Sequence, residues 1–173
     1  MNVFLRQCTP EDLSELRKIS IDTYFETFEK FNSKENMDAY LESAFNLPKL
    51  RKELSDPHSQ FYFLSCDGVL AGYLKINEGP SQTEIHDEKS LEIERFYILS
   101  AFQGGGMGQF LMDQALSIAI ARKKDYVWLG VWEHNEKAKR FYKKNGFFRI
   151  GAHSFVMGDD DQTDFVLRKD LTP

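Results

Sequence analysis

Residues 91–111 read LEIERFYILSAFQGGGMGQFL: a β-branched and aromatic run, a cluster of glycines, then apolar residues at helical spacing. Gln103-Gly104-Gly105-Gly106-Met107-Gly108 therefore falls where a strand ends and a helix begins. Only glycine lets a backbone turn this tightly and approach a ligand this closely. The following helix offers unpaired N–H groups and the positive end of its dipole to an anion. The turn reads as a phosphate cradle. A Walker P-loop needs a Lys-Ser/Thr pair closing the glycines, whereas Gly108 is followed by Gln109-Phe110. A dinucleotide fingerprint needs a third glycine where Gln109 or Leu111 stands. What remains is Gln-x-x-Gly-x-Gly, fixed by Gln103, Gly106 and Gly108.

A second signal lies downstream. Residues 125–132, DYVWLGVW, form an apolar β run, followed by the polar turn Glu133-His134-Asn135-Glu136 and a helical segment through Lys144. Asn135 is a good N-cap, Glu136 sits in the first turn, lysines fill the last, and Gly146 can take the left-handed stop. Asn135, Ala138 and Tyr142 at i, i+3 and i+7 share one helix face.

With the glycine turn, the spacing Asn-x-x-Ala-x-x-x-Tyr-x-x-x-Gly-Phe resembles the GCN5-related N-acetyltransferase superfamily, the acetyl-CoA-dependent acyltransferases. Strand, glycine turn and helix look like its motif A, and Trp132 to Phe147 like its motif B. The stretches ENMDAYLESAF, LEIERFYI, WLGVWEHNEKA and GAHSFVMGDDDQTD look like a narrower branch. That branch is the bacterial polyamine N-acetyltransferases of the protease-synthesis and sporulation regulator type. The resemblance implies a single α/β domain over residues 1–173, with a mixed, mostly antiparallel twisted sheet, splayed central strands and flanking helices.

Length and composition agree with one packed domain. A net charge of −5 disfavours nucleic acid as a partner and leaves room for a cationic one. Cys8 and Cys66 lack metal or redox spacing and read as free thiols. No apolar run approaches the ~18 residues of a membrane span, and MNVFLRQCTPED lacks a secretory pattern. A cytoplasmic protein without a membrane partner is expected, monomeric or homodimeric. His58, His86, His134 and His153 show no ligand spacing, so no metal is expected.

Acetyl transfer to an amine poses three problems, and the resemblance assigns residues to each. The cofactor diphosphate is held by backbone N–H groups from Gln103 through Gly104, Gly105, Gly106 and Met107 to Gly108. Relatives often carry basic residues where Gln103 and Gly105 stand, so charge assistance is expected to be weaker here. Pantetheine is expected to pair with the main chain of Phe96, Tyr97 and Ile98. Asn135 and Ala138 are expected beside it, and Lys144 on a phosphate. An alkyl ammonium has a pKa near 10.4, so freeing its lone pair at neutral pH costs about 4 kcal/mol and calls for a base. Glu92 and Glu94 share one strand face. Glu94 is the expected base, with Glu92 assisting or holding a distal ammonium; the plainer reading is ion pairing with Arg95, Arg6 or a lysine. Tyr142 is the expected acid for the leaving thiolate, or otherwise an aromatic anchor for its helix.

The activity implied is transfer of acetyl from acetyl-CoA to a primary amine of a polyamine such as spermidine or spermine, by direct attack in a ternary complex. Protein N-termini, lysines and antibiotic amines are alternative acceptors, and a regulatory acetyl-CoA-binding protein is an alternative of another class. Elsewhere, Thr9-Pro10 opens a helix to about Glu29, Asn32-Ser33 a second to Phe45, and Pro48 a short third. Asp67-Gly68 marks a hairpin. Strands at 147–152 and 163–167 are expected around a loop holding Gly158 and three aspartates.

Overall fold

The computed structural model describes residues 1–171. Seven strands form one sheet: β1 (Val3–Gln7), β2 (Ser59–Cys66), β3 (Val69–Asn77), β4 (Ser90–Ile98), β5 (Tyr126–Trp132), β6 (Phe148–Met157) and β7 (Asp160–Asp170). Their order is β1-β2-β3-β4-β5-β7-β6, and only β4 and β5 run parallel. Helices α1 (Leu13–Phe28), α2 (Lys34–Phe45) and α3 (Leu47–Leu54) cover one face; α4 (Met107–Ala121) and α5 (Glu136–Lys144) cover the other. This is the mixed, mostly antiparallel α/β fold expected.

Local chemistry sets the boundaries. A 3₁₀ turn at Pro10–Asp12 precedes α1, with the Asp12 carboxylate accepting from the Thr9 N–H at 2.8 Å. Ser33 and Asn46 cap α2 and α3 by accepting from the N–H groups of Asn36 and Lys49. Asp67 and Gly68, with φ of 50° and 80°, form the primed two-residue turn that matches strand twist. Leu111, Met112, Ala115 and Ala119 of α4 are fully buried against Leu74, Ile76, Leu91, Val127 and Leu129. Burial of a side chain the size of Leu or Met stabilises by about 1.5–3 kcal/mol.

Two boundaries differ from expectation. The helix after the glycine turn starts at Met107, with Gly106 (φ 85°) as its cap, so Gly108 lies inside the first turn. There it allows close approach: a Cβ on Gly108 would meet the Phe141 ring at 3.6 Å and Ile98 Cδ1 at 3.8 Å. The expected loop near Gly158 is instead a tight turn between two long strands. β6 is the sheet edge and alternates between exposed and half-buried residues, so its polar face reads as loop in sequence. Asn36 Nδ2 donates to Asp159 at 3.0 Å and ties that turn to α2.

Candidate active site

The parallel pair β4–β5 is hydrogen-bonded only from Ser90↔Tyr126 to Ile93↔Leu129. Beyond these residues the strands part, leaving Glu94–Ile98 and Gly130–Trp132 on either side of a wedge. A cleft of about 1050 Å³ follows the wedge. It runs from the glycine turn and α5 to the aromatic side chains of α1 and α2.

On the α4–α5 side, Gly104 and Gly106 adopt φ of 88° and 85°, and added Cβ atoms there would meet open space. The N–H groups of Gly104 to Gln109 have no hydrogen-bond partner among the described residues; the first helical bond runs from Phe110 N to Gly106 O, 3.0 Å. These donors, with room in front of them, fit a diphosphate. Gln103, Gly104, Gly106 and Gly108 line the cleft; Gly105 and Met107 do not, and Met107 is buried in the core. Gln103 turns inward, its Nε2 donating to Ile98 O at 2.9 Å, so one of the carbonyls expected to face pantetheine already has a partner. Phe96, Tyr97 and Ile98 all line the cleft. Beyond the expected Lys144, two further cations reach the turn: Lys137 Nζ bonds Gln103 Oε1, and Lys137, Arg140 and Lys144 line the cleft together. Their i, i+3, i+7 spacing was the available signal. Asn135 Oδ1 caps α5 by accepting from Ala138 N at 3.2 Å, and both residues line the cleft.

Tyr142 also lines the cleft, buried among Phe96, Phe141 and Phe147. Its Oη has no hydrogen-bond partner among the described residues, and burial pushes its pKa well up, so it is a neutral donor.

Glu92 and Glu94 lie on one face of β4, as their spacing implies, and share the donor Asn77 Nδ2 at 2.9 and 2.8 Å; a bulge follows Ile93. Lys75 pairs with Arg95 and Ile76 with Ile93, leaving Glu94 as the extra residue. The bulge puts the side chains of both Glu94 and Arg95 on the α1–α3 face. Glu94 lines the cleft; Glu92 does not. Glu92 instead accepts from Asn77 Nδ2 (2.9 Å), Thr83 N (2.8 Å) and Thr83 Oγ1, and burial raises its pKa. Its carboxylate ties Thr83 of the 79–89 loop to the sheet and reaches the cleft only through Asn77, which it shares with Glu94. Glu94 accepts from Lys75 Nζ at 2.7 Å and Asn77 Nδ2 at 2.8 Å, with Arg95 Nε 3.3 Å away. Although burial opposes ionisation, Arg95 and Lys75 together pull its pKa down to about 2. The ion-pairing reading of this residue is thus present in the structure. Arg95 and Lys75 thus hold Glu94 as a carboxylate at neutral pH.

Across the wedge, Asp164 of β7 lines the cleft near Trp132, with His153 beside it. Tyr24 and Tyr40 stack at 4.4 Å, and Phe28 and Phe31 pack edge-on against Trp132 at 5.9 and 4.7 Å. A smaller recess of about 470 Å³ shares Phe31, Trp132, His134 and Gln162 with the cleft and adds Glu133, Asp160 and Asp161.

A parted parallel pair with a glycine-capped helix N-terminus at its open end is the architecture of an acetyl-CoA-dependent acyltransferase. Residues 14–147 match the Acetyltransferase (GNAT) family, and the chain belongs to it. It is 47% identical over 165 residues to an uncharacterized N-acetyltransferase in the pepI 3′ region of Lactobacillus delbrueckii subsp. lactis, covering 95% of each chain. It is 23% identical over 175 residues to the spermidine N(1)-acetyltransferase of Thermoplasma acidophilum, covering 98% of each. The crystal structure of PaiA N-acetyltransferase from Thermoplasma acidophilum in complex with coenzyme A superposes with a TM-score of 0.80 at 22% identity, covering 98% of this chain and 99% of that one. The protein is an acetyl-CoA-dependent N-acetyltransferase. Among the described residues, no helix is long and apolar enough to cross a membrane.

Proposed function

We propose that this enzyme acetylates a primary amine of a polyamine such as spermidine or spermine, by direct attack within a ternary complex. The observation that carries the reading is the acceptor end of the cleft. Aromatic rings of Tyr24, Phe28, Phe31, Tyr40 and Trp132 stand beside the carboxylates of Glu94 and Asp164, and the adjoining recess adds Glu133, Asp160 and Asp161. An extended chain of methylenes and ammonium groups matches that alternation, since aromatic faces attract cations and carboxylates pair with them. The spermidine acetyltransferase of Thermoplasma acidophilum, similar along nearly the whole chain, points the same way.

In this proposal the N–H groups of Gly104 to Gly108 hold the diphosphate, helped by Lys137 and Lys144, and the edges of β4 and β5 hold pantetheine in the wedge. Glu94 pairs with the incoming ammonium, and Tyr142 donates a proton to the departing thiolate. A second acceptor class has one observation in its favour: Arg95 lines the cleft and its Nη1 has no hydrogen-bond partner among the described residues, as an acceptor bearing a carbonyl beside its amine would require.

A thiol-release assay with acetyl-CoA separates the two. Turnover is expected with spermidine, spermine and diamines; activity confined to peptides or amino acids overturns the polyamine reading, and no turnover with any amine favours a regulatory acetyl-CoA-binding protein.

A further inference from the structure

The cleft contains a second carboxylate with properties opposite to those of Glu94. Asp164 is about one-quarter exposed at its side chain, and burial raises its pKa, with His153 opposing the shift. It stands at the point where the strands part. Leu129 makes the last β4–β5 pair, so Gly130 is the first β5 residue inside the wedge, as Glu94 is the first on β4. A Cβ on Gly130 would lie 3.9 Å from Asp164 Oδ2 and 3.7 Å from His153 Cε1, and glycine leaves that space to a ligand. Asp164 also has a way out to solvent. His153, its cross-strand partner on β6, holds Nε2 3.6 Å from Asp164 Oδ2; its Nδ1 approaches Glu84 Oε2 to 2.7 Å but off the line of a hydrogen bond, so among the described residues this buried nitrogen has no hydrogen-bond partner. Glu84 is two-fifths exposed on the loop that Glu92 anchors. Contacts such as the 3.6 Å separation are commonly long without substrate and tighten in the reacting complex. No group of three potential ligands that could hold a metal ion occurs among the described residues.

We propose that Asp164 accepts the proton of the acceptor ammonium and that His153 and Glu84 carry it to solvent. The inference rests on the reading of this cleft as the amine site. The ammonium gives one proton to Asp164 Oδ2. The freed lone pair of nitrogen forms the N–C bond to the acetyl carbon, and the C–S bond breaks with its electron pair passing to sulfur. Tyr142 Oη protonates that sulfur and is itself reprotonated by the second nitrogen proton, leaving a neutral amide. One proton remains, on Asp164, and leaves through His153 Nε2, with Nδ1 delivering to Glu84. The charged and titratable groups that act on Asp164 are His153 from β6, Glu84 from the loop, Tyr24 from α1 and Tyr40 from α2; Glu94 and Arg95 of β4 line the same cleft and act on Tyr40. The two tyrosines stay neutral because burial raises their pKa values. Glu94 stays ionised, held by Arg95 and Lys75.

The test is kcat/KM for spermidine as a function of pH, measured on the full chain for wild type, Asp164→Asn and His153→Gln. Loss of a positioned base costs about 10²-fold near neutral pH. For Asp164→Asn that deficit should shrink as pH approaches the amine's own pKa of ~10, where free amine needs no base. His153→Gln, a change to a positioning residue, should lower kcat several-fold with the spermidine KM unchanged and show the same narrowing at high pH. A deficit equal at every pH, or none, overturns the proposal, because an ammonium-binding or structural carboxylate gives that result. Wild-type turnover of a different amine only would remove the polyamine reading. The same pH profile on that amine would then decide the role of Asp164.

Discussion

On the α4–α5 side of the wedge, the cleft is lined by backbone N–H groups of one short turn, with the exposed Lys137, Arg140 and Lys144 behind it. On the α1–α3 side it is built from side chains of five separated segments, and its charges are largely spent on one another. Lys75 and Arg95 meet Glu94 and Glu53 in a network where Lys75 is only 6% exposed. The first arrangement suits an acetyl carrier whose diphosphate does not vary. The second ties the acceptor site to the stability of the fold, so specificity and folding cannot be altered independently there.

The largest effect should follow from opening that network. Lys75→Met leaves Glu94 and Glu53 partly uncompensated, and removing one partner of a buried pair costs about 3–5 kcal/mol. Urea unfolding should show this loss while acetyl-CoA affinity of the folded fraction is unchanged; a loss below about 1 kcal/mol would mean that the network is screened like a surface pair. The same pairs set an acid limb. The Glu94 pKa is depressed in the folded state, so its contribution is full above the unfolded carboxylate pKa of ~4.3. It drains as pH falls toward about 2. Glu94→Gln should flatten stability against pH in that window.

Next is Tyr142→Phe. The ring keeps its packing against Phe96, Phe141 and Phe147, so melting should change little. If its hydroxyl protonates the thiolate, kcat should fall about 10²-fold with both KM values retained. An unaltered kcat would reduce Tyr142 to an anchor for α5.

The same division explains what could be read beforehand. Glycines that require positive φ, an N-cap and an i, i+3, i+7 face are local, so the cofactor side was legible from Gln103 to Tyr142. The bulge at Glu94 was not, because register depends on the β3 partner and alternation alone cannot reveal an extra residue. That bulge adds Arg95 to the face that Glu92 and Glu94 already share, and the Thr83 bonds of Glu92 come from a loop that spacing cannot place. His153 has no metal-ligand spacing in the sequence; its neighbours Asp164 and Glu84 come from an adjacent strand and a distant loop, a proximity that only sheet order creates. The mixed, mostly antiparallel sheet with flanking helices followed from the family resemblance more than from periodicity; strand order and the β4–β5 parallel pair come from the structure.

A smaller effect belongs to the glycine turn. Ala at 106 must hold φ near 85°, a left-handed conformation that costs a side-chain-bearing residue about 1–2 kcal/mol. The acetyl-CoA KM should rise up to about tenfold with the amine KM unchanged. Gly105→Ala is the control: its φ is not positive and its Cβ meets open space, so it should be silent.

The smallest effect separates the two sides by salt. Lys137 reaches the turn through Gln103 Oε1 from an exposed position, so its attraction to the cofactor phosphates is screened by bulk ions. Lys137→Gln should raise the acetyl-CoA KM only a few-fold at low ionic strength, an exposed charge being worth about 0.2–1 kcal/mol. At about 1 M salt, where the screening length is near 3 Å, that difference should vanish. The Glu94 and Asp164 carboxylates sit deeper, where ions screen less, so the effect of their neutralisation on the amine KM should persist at the same salt. Equal salt sensitivity on both sides would mean that the acceptor charges are as open to solvent as those behind the glycine turn.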